Sequence, residues 1–239
     1  MKIRIFENKE ELNAAFTDWL KEILVGKETL MLALSGGSTP KSLFDYWAEN
    51  PEKDIDWKKI KFFWGDERCV PPTDEQSNYK MTKEHFFDRI PVPESNIFRI
   101  YGENPPEEEA NRYAEVLKTE LRSENGIPSF DVLMLGMGDD GHTASIFPQE
   151  IELWNSPKLC VVGTHPETGQ KRVSLSGRAI NAARNVAFLV TGENKAQKVS
   201  EIISHPAEAE KKYPAALVQP DSGDLIWFVD KAAASLLSQ

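Results

Sequence analysis

Leu30-Met31-Leu32-Ala33-Leu34-Ser35-Gly36-Gly37-Ser38-Thr39-Pro40 is the stretch on which the fold turns. Its five consecutive apolar residues predict a strand buried on both faces, the pattern of a parallel sheet covered by helices on each side. Two glycines and three hydroxyl residues end the strand. Pro40 then marks the first position of a helix, where its fixed φ and missing N–H cost nothing.

Outward from this stretch the same alternation repeats. Residues 2–6 predict a strand, and Leu12, Phe16, Leu20 and Ile23 follow at helical spacing; a helix over 40–48 precedes a strand at 60–64. A helix over 78–87, a short strand near 97–100, a helix over 107–121 and an apolar strand at 132–135 come next. Strands at 159–163, 172–175 and 186–190, a helix over 195–203, a strand at 225–229 and a closing helix over 231–237 complete the chain. This βαβα rhythm predicts an α/β fold: an open, doubly wound, mostly parallel, Rossmann-like sheet with helices on both faces. Pro- and Gly-containing stretches at 50–54, 102–106, 163–170 and 204–214 read as loops too short for domain linkers, so residues 1–239 are expected to form a single domain.

A chain of 239 residues buries about 70% of its unfolded surface and needs no disulfide staples. Only Cys69 and Cys160 occur, without a CxxC pair or a histidine spacing that would build a zinc site, so no metal is expected. The early acids Glu7, Glu10 and Glu11 and the lack of about 18 consecutive apolar residues argue against a leader or a membrane span; a cytoplasmic protein is expected. A formal net charge of -10 argues against nucleic acid or an anionic membrane as partner. Any anionic ligand must then be drawn by local cations and helix N-termini.

Ligands of such sheets bind beyond the carboxyl ends of the strands, which singles out three loops. Ser35, Gly36, Gly37, Ser38 and Thr39 join a buried strand to a helix; they suit a phosphate cradle or, equally, a tight turn with a Ser/Thr N-cap. Asp66, Glu67 and Arg68 end the strand at 60–64 and suit either a surface salt bridge or an anion site, Arg68 offering a fork of donors. Cys69 beside them reads as packing.

The third loop, Gly136-Met137-Gly138-Asp139-Asp140-Gly141-His142-Thr143, matches the glycine spacing of a dinucleotide site. Asp139 and Asp140 would repel a pyrophosphate, and no acid stands about twenty residues on to take a ribose hydroxyl, so no dinucleotide cofactor is expected. Instead, a carboxylate close to His142 can fix its tautomer and raise its basicity. Arg172 and Lys195 add cations near the ends of later strands.

Read together, these residues resemble the 6-phosphogluconolactonases of the glucosamine-6-phosphate isomerase and lactonase superfamily. The resemblance rests on S-G-G-S-T-P at 35–40, G-D-E-R at 65–68, S-N-Y at 77–79, G-M-G-D-D-G-H-T-A-S-I-F-P at 136–148, R-V-S-L at 172–175, I-N-A-A-R at 180–184, V-T-G-E-N-K at 190–195 and Y-P-A-A-L-V at 213–218. It implies a fold related to ribose-5-phosphate isomerases and glucosamine-6-phosphate deaminases, no organic cofactor, and hydrolysis of 6-phospho-D-glucono-1,5-lactone in the oxidative pentose phosphate pathway. The aminosugar-phosphate deaminase branch shares several motifs but carries an acid five positions after the histidine and an aromatic after the Asp-Glu pair; this chain has Phe147 and Arg68 there. A non-catalytic sugar-phosphate-binding module is the remaining alternative.

On this reading His142 is the general base, Asp140 orients it, and Arg68 serves either the phosphate or the developing oxyanion. Ser35, Gly36, Gly37, Ser38, Thr39, Asp66, Glu67, Gly138, Thr143, Arg172 and Lys195 bind the substrate, a small sugar-phosphate lactone. A monomer or weak homo-oligomer is expected.

Overall fold

The structure, a computed structural model, describes residues 1–50 and 55–237. The loop expected at 50–54 lies, from residue 51 on, outside the described residues. The chain runs β1 (Lys2–Phe6), α1 (Lys9–Leu24), β2 (Leu30–Leu34), α2 (Ser38–Glu49), β3 (Ile60–Trp64), β4 (Asp66–Arg68), α3 (Asn78–Thr82) with a π-helical continuation at Lys83–Phe87, and α4 (Pro106–Glu120). The hairpin β5 (Arg122–Glu124) and β6 (Ile127–Ser129) leads to β7 (Val132–Leu135), β8 (Cys160–Thr164), β9 (Lys171–Leu175), α5 (Gly177–Asn181), β10 (Asn185–Val190), α6 (Ala196–Ser204), α7 (Pro206–Ala209) and β11 (Asp224–Asp230).

Six strands form the central sheet in the order β1-β11-β10-β7-β2-β3, each pair parallel. From β2 the chain moves outward to β3, then returns on the other side of β2 with β7, β10 and β11. The order therefore reverses between β2 and β7, and the loops leaving their carboxyl ends diverge to leave a crevice.

Side-chain alternation along the strands commits the two faces. On β3, Phe62 packs edge-on to Phe86 at 5.7 Å while Phe63 stacks on Phe98 at 4.8 Å on the opposite side. On β11, Phe228 meets Phe16 and Trp19 of α1 at 5.4 and 5.5 Å, whereas Trp227 stacks on Phe188 of β10 at 4.1 Å. Helix α1 starts where it does because Asn8 accepts from the Glu11 amide at 2.9 Å, satisfying one of the free N–H groups of the first turn.

Several expectations are corrected. Strands β8 and β9 do not join the central sheet: β9 pairs antiparallel with β4 on one side and β8 on the other. Around 97–100 there is only a single bridge from Phe62 to Ile97, because the Asn96 side chain donates to the Ile60 and Lys58 carbonyls that a strand would use. Residues 231–237 form turns rather than a helix. Asp230 accepts from the Ala233 amide at 2.7 Å in the manner of an N-cap and Ala234 donates to the Asp230 carbonyl at 3.0 Å, but Ser235 and Leu237 then bond carbonyls three residues back, so the segment tightens into turns. Pro40 is the third residue of α2, not the first, and the stretch 204–214 contains the single turn α7. Among the described residues no helix is long and apolar enough to cross a membrane.

The end of β3 is pinned by one side chain. The fully buried Tyr113 of α4 accepts from the Trp64 amide at 2.9 Å and donates to the Trp64 carbonyl at 3.1 Å. Tyr113→Phe leaves both groups unpaired in a dry interior and should destabilise the fold by about 1–3 kcal/mol. Thermal unfolding should register this as a Tm lower by about 2–4 °C per kcal/mol; an unchanged Tm would contradict the pinning.

Candidate active site

The loop after β2 is shaped by what cannot be there. A Cβ on Gly36 would lie 1.9 Å from Asn78 Oδ1, so the Asn78 amide occupies the space of a side chain. Gly37 then turns with φ of 103° and serves as the N-cap of α2 without any side-chain cap, a backbone conformation that glycine adopts freely. The Ser/Thr N-cap alternative is therefore not what the loop adopts. The first turn of α2 instead directs its amides and partial positive charge toward the crevice. Thr39 bonds Thr191 at 2.8 Å, tying this loop to the one after β10.

The loop after β3 separates its charged residues by role. Glu67 is 3% exposed; its carboxylate accepts from the amides of Arg68 at 2.8 Å, Asn78 at 2.7 Å and Tyr79 at 2.8 Å and from the Ser77 hydroxyl at 3.0 Å. Burial pushes its pKa up, and these four bonds pull against that. Glu67 thus anchors α3 and does not line the cleft, contrary to its expected place at the substrate. Asp66 does reach the cleft, with one carboxylate oxygen bonded to the Ser145 hydroxyl at 2.6 Å.

Arg68 and Arg172 face each other across the β4–β9 pairing. The Nε of each is buried without a hydrogen-bond partner. Burial lowers the pKa of Arg172, and the charge of Arg68 lowers it further. Two guanidiniums held together in this way present a concentrated demand for an anion. Arg172 also lies 5.5 Å from the Phe147 ring centroid. Burial, then the charge of Glu67, raises the neighbouring Cys69 thiol to about 11, so Cys69 stays protonated and packs rather than reacts.

In the loop after β7, His142 Nδ1 lies 2.7 Å from Asp140 Oδ1, which also accepts from the His142 amide at 3.0 Å. Burial works to raise the Asp140 carboxyl, but the hydrogen bond and charge of His142 hold it below its ordinary value. An ionised carboxylate only accepts, so Nδ1 carries the proton and Nε2 is left as the basic nitrogen. A Cβ on Gly138 would lie 2.1 Å from His142 Nδ1; only glycine leaves room for the ring. One face of the imidazole packs on Phe147 at 4.6 Å between centroids.

These loops meet at the switch point. The cleft is lined by Ser35, Gly36, Gly37, Ser38, Thr39, Asp66, Arg68, Gly138, His142, Arg172 and Lys195, all expected at the site, and also by Asn78 and Thr191. Asp140 stands behind His142. Thr143 is fully buried beneath the loop, donating to the Gly136 carbonyl at 2.9 Å, and is not a lining residue. Lys195 reaches the cleft while forming an ion pair with Asp139. Among the described residues no cluster of three or more His, Cys, Asp or Glu could hold a metal ion. Asn78 carried a signal in the S-N-Y motif, but its contact with Gly36 requires the fold.

An open parallel sheet thus carries an Asp-backed histidine and an arginine pair at its switch point, the place where α/β proteins of this kind bind ligands. The family model described as glucosamine-6-phosphate isomerases/6-phosphogluconolactonase matches residues 7–227, and the chain belongs to that family. It is 46% identical over 206 residues to the 6-phosphogluconolactonase of Treponema pallidum, covering 86% of each chain. It is 37% identical over 244 residues to that of Homo sapiens, covering 99% of this chain and 93% of the human one. The solved 6-phosphogluconolactonase of Trypanosoma brucei superposes with a TM-score of 0.84 at 32% identity, covering 99% and 98% of the two chains. A monomeric glucosamine-6-phosphate deaminase, at 20% identity and a TM-score of 0.83 over 99% of this chain and all of its own (100%), shares the fold.

Gly138→Ala should therefore act on the His142–Asp140 pair, since its Cβ would fall 2.1 Å from His142 Nδ1 and 2.7 Å from Asp140 Oδ1. It is expected to lower turnover by about 100-fold, the cost of a misplacement near 1 Å, with Tm nearly unchanged. Wild-type turnover in this variant would show that the ring has room to move.

Proposed function

We propose that this protein hydrolyses 6-phospho-D-glucono-1,5-lactone to 6-phospho-D-gluconate, the lactone-opening step of the oxidative pentose phosphate pathway, in the cytoplasm and as a monomer or weak homo-oligomer. The observation that carries this reading is the 2.7 Å bond between His142 and Asp140 beside a cleft that also holds Arg68 and Arg172. Membership of a family whose relatives include named lactonases supports the same substrate.

A lactone is an activated ester, so the protein has to place a water, remove its proton and stabilise the tetrahedral oxyanion. His142 Nε2 takes the proton as the water oxygen bonds to C1. Asp140 holds the ring and stabilises the imidazolium so formed. When the oxyanion collapses, the bond from C1 to the ring oxygen breaks, and that oxygen takes the proton back from His142. The product is one open-chain molecule that carries both the freed hydroxyl and a carboxylic acid, which ionises in water. General-base catalysis of this kind is worth about 10²- to 10⁴-fold.

The phosphate is assigned to the amides of α2 together with Arg68, Arg172 and Lys195. Two adjacent guanidiniums match a dianion better than the single charge of an oxyanion, which supports a role for Arg68 at the phosphate rather than at the reacting carbon. Asp66 remains to accept from sugar hydroxyls. Phe147 favours this reaction over aminosugar deamination: five positions after His142 a buried ring, 1% exposed, leaves no acid there to open a sugar ring.

Lactone turnover, followed as acid release above the spontaneous rate, tests this reading. His142→Ala should lower kcat by about 10²- to 10⁴-fold with KM within about twofold, and Asp140→Asn should lower kcat by about 10- to 100-fold by the same route. Arg172→Ala and Lys195→Ala should chiefly raise KM. Undiminished turnover in His142→Ala would overturn the base assignment, and ammonia from glucosamine 6-phosphate without lactone turnover would move the protein to the deaminase branch.

A further inference from the structure

The loop that carries His142 is closed on its inner side by its own bonds. Gly138 donates to the His142 carbonyl at 2.9 Å and Gly141 donates to the Gly138 carbonyl at 3.0 Å. Nothing in that set fixes the loop relative to the rest of the cleft. Its outer side is held by two groups from outside the loop.

The first is Tyr213. Gly141 has φ of +86°, and a Cβ built on it would fall 2.6 Å from the Tyr213 ring, so the ring lies directly on the glycine backbone. The amide of Ala215, two residues on, donates to the Gly141 carbonyl at 3.1 Å. The ring is itself immobilised from α6: its hydroxyl donates to Glu201, Lys198 donates to the hydroxyl at 3.1 Å, and the Lys198 ammonium lies 4.7 Å from the ring centroid. Lys198 and Glu201 are paired at 3.4 Å. The Tyr213 amide is tied down in turn by the Ala209 carbonyl at 2.8 Å. The second group is the turn just before α6, where Asn194 donates to Asp139 at 2.9 Å and Lys195 pairs with the same carboxylate.

We propose that Tyr213 is a positioning residue for His142: its ring, clamped by Lys198 and Glu201, sets the height of the 138–142 loop through Gly141 and so fixes the histidine against the cleft. The clamp has a second consequence. Lys195 stands at the N-cap of α6 and reaches the cleft while the first two turns of the helix hold the Tyr213 ring, so the cation that meets the phosphate and the loop that carries the base are referred to one rigid element. Near-attack geometry is sensitive to about 1 Å, a displacement that can cost about 100-fold, and the base sits on a loop rather than on the sheet. A tyrosine is suited to this because the ring gives a flat, stiff contact and the hydroxyl a directional tether.

This inference rests on the proposed function for its kinetic readout, and a double-mutant cycle with Asp140 separates positioning from mere stability. Tyr213→Ala should lower kcat for the lactone by about 10- to 100-fold with KM within about twofold, whereas Tyr213→Phe, which keeps the ring on Gly141, should lose no more than about fivefold. Because both residues act through the orientation of His142, Tyr213→Ala should cost less than about threefold in an Asp140→Asn background. The downfield Nδ1 proton of His142, shared with Asp140, gives a reading without turnover: present in the wild type, broadened or lost in Tyr213→Ala, retained in Tyr213→Phe. Should Tyr213→Ala fail to fold, the paired Lys198→Met and Glu201→Ala substitutions remove the clamp and leave the ring, and the same cycle applies. Additive losses in the cycle, or a loss confined to KM, or an unchanged proton signal, would overturn the proposal. A wild-type protein without lactone turnover would instead refute the function on which it rests, leaving the proton signal to decide the positioning.

Discussion

A parallel sheet has to bury both of its faces, and this requirement determines where the protein can hold its chemistry. With α1 and α2 against one face and α4 and the small antiparallel sheet toward the other, polar groups are excluded from the central strands β2, β7 and most of β10, while the edge strands β1 and β3 keep Lys2, Arg4 and Lys61. What remains are the strand ends, and the reversal of order between β2 and β7 opens them. The apolar runs of β2, β7 and β10 are thus the reason that Ser35, Gly136 and Thr191 stand where they do, each at the first step beyond a buried strand.

Crowding at that edge explains the glycines better than flexibility does. Gly36 makes room for Asn78, Gly138 for the His142 ring and Gly141 for Tyr213. In each case the absent side chain lets a functional or supporting group approach backbone. The buried carboxylate of Glu67 performs the opposite service, filling the start of α3 with acceptors so that Asn78 is held against Gly36. The loops are therefore precise because of close contacts made by residues remote in sequence.

That division also accounts for what could be read in the sequence. The central strands are legible because burial on two faces writes an unbroken apolar run, and His142 is legible because its acids and glycines are its immediate neighbours. Strand β4 is not: Asp66-Glu67-Arg68 has no strand propensity, and it pairs with β9 only because α3 satisfies Glu67 and Asn78 takes the Asp66 carbonyl. The same residues made Glu67 resemble a ligand group, since charge at a strand end looks alike whether it faces a cleft or a helix terminus. The closing segment differs for another reason. Its apolar spacing suits a helix and Asp230 caps its start, but Ser235 and Leu237 bond carbonyls three residues back, a tighter turn that apolar spacing does not encode. Tyr213 carried no signal beyond its motif because its partner is a glycine, which has no side chain to betray a contact.

The electrostatics of the molecule divide between two ranges. A formal charge of -10 gives a field that opposes any anion at long distance and is screened beyond about 8–10 Å at ordinary ionic strength. Inside the cleft, Arg68, Arg172, Lys195 and the α2 terminus reverse the sign over a few ångströms, where burial protects them from screening. On the proposed reaction, hydrolysis adds a carboxylate, so the product carries one more negative charge than the substrate. The local cations recognise the phosphate that both share, while the surrounding field acts more strongly against the product. Local attraction thus provides retention of the substrate, and the acidic exterior biases the site toward release once the ring has opened.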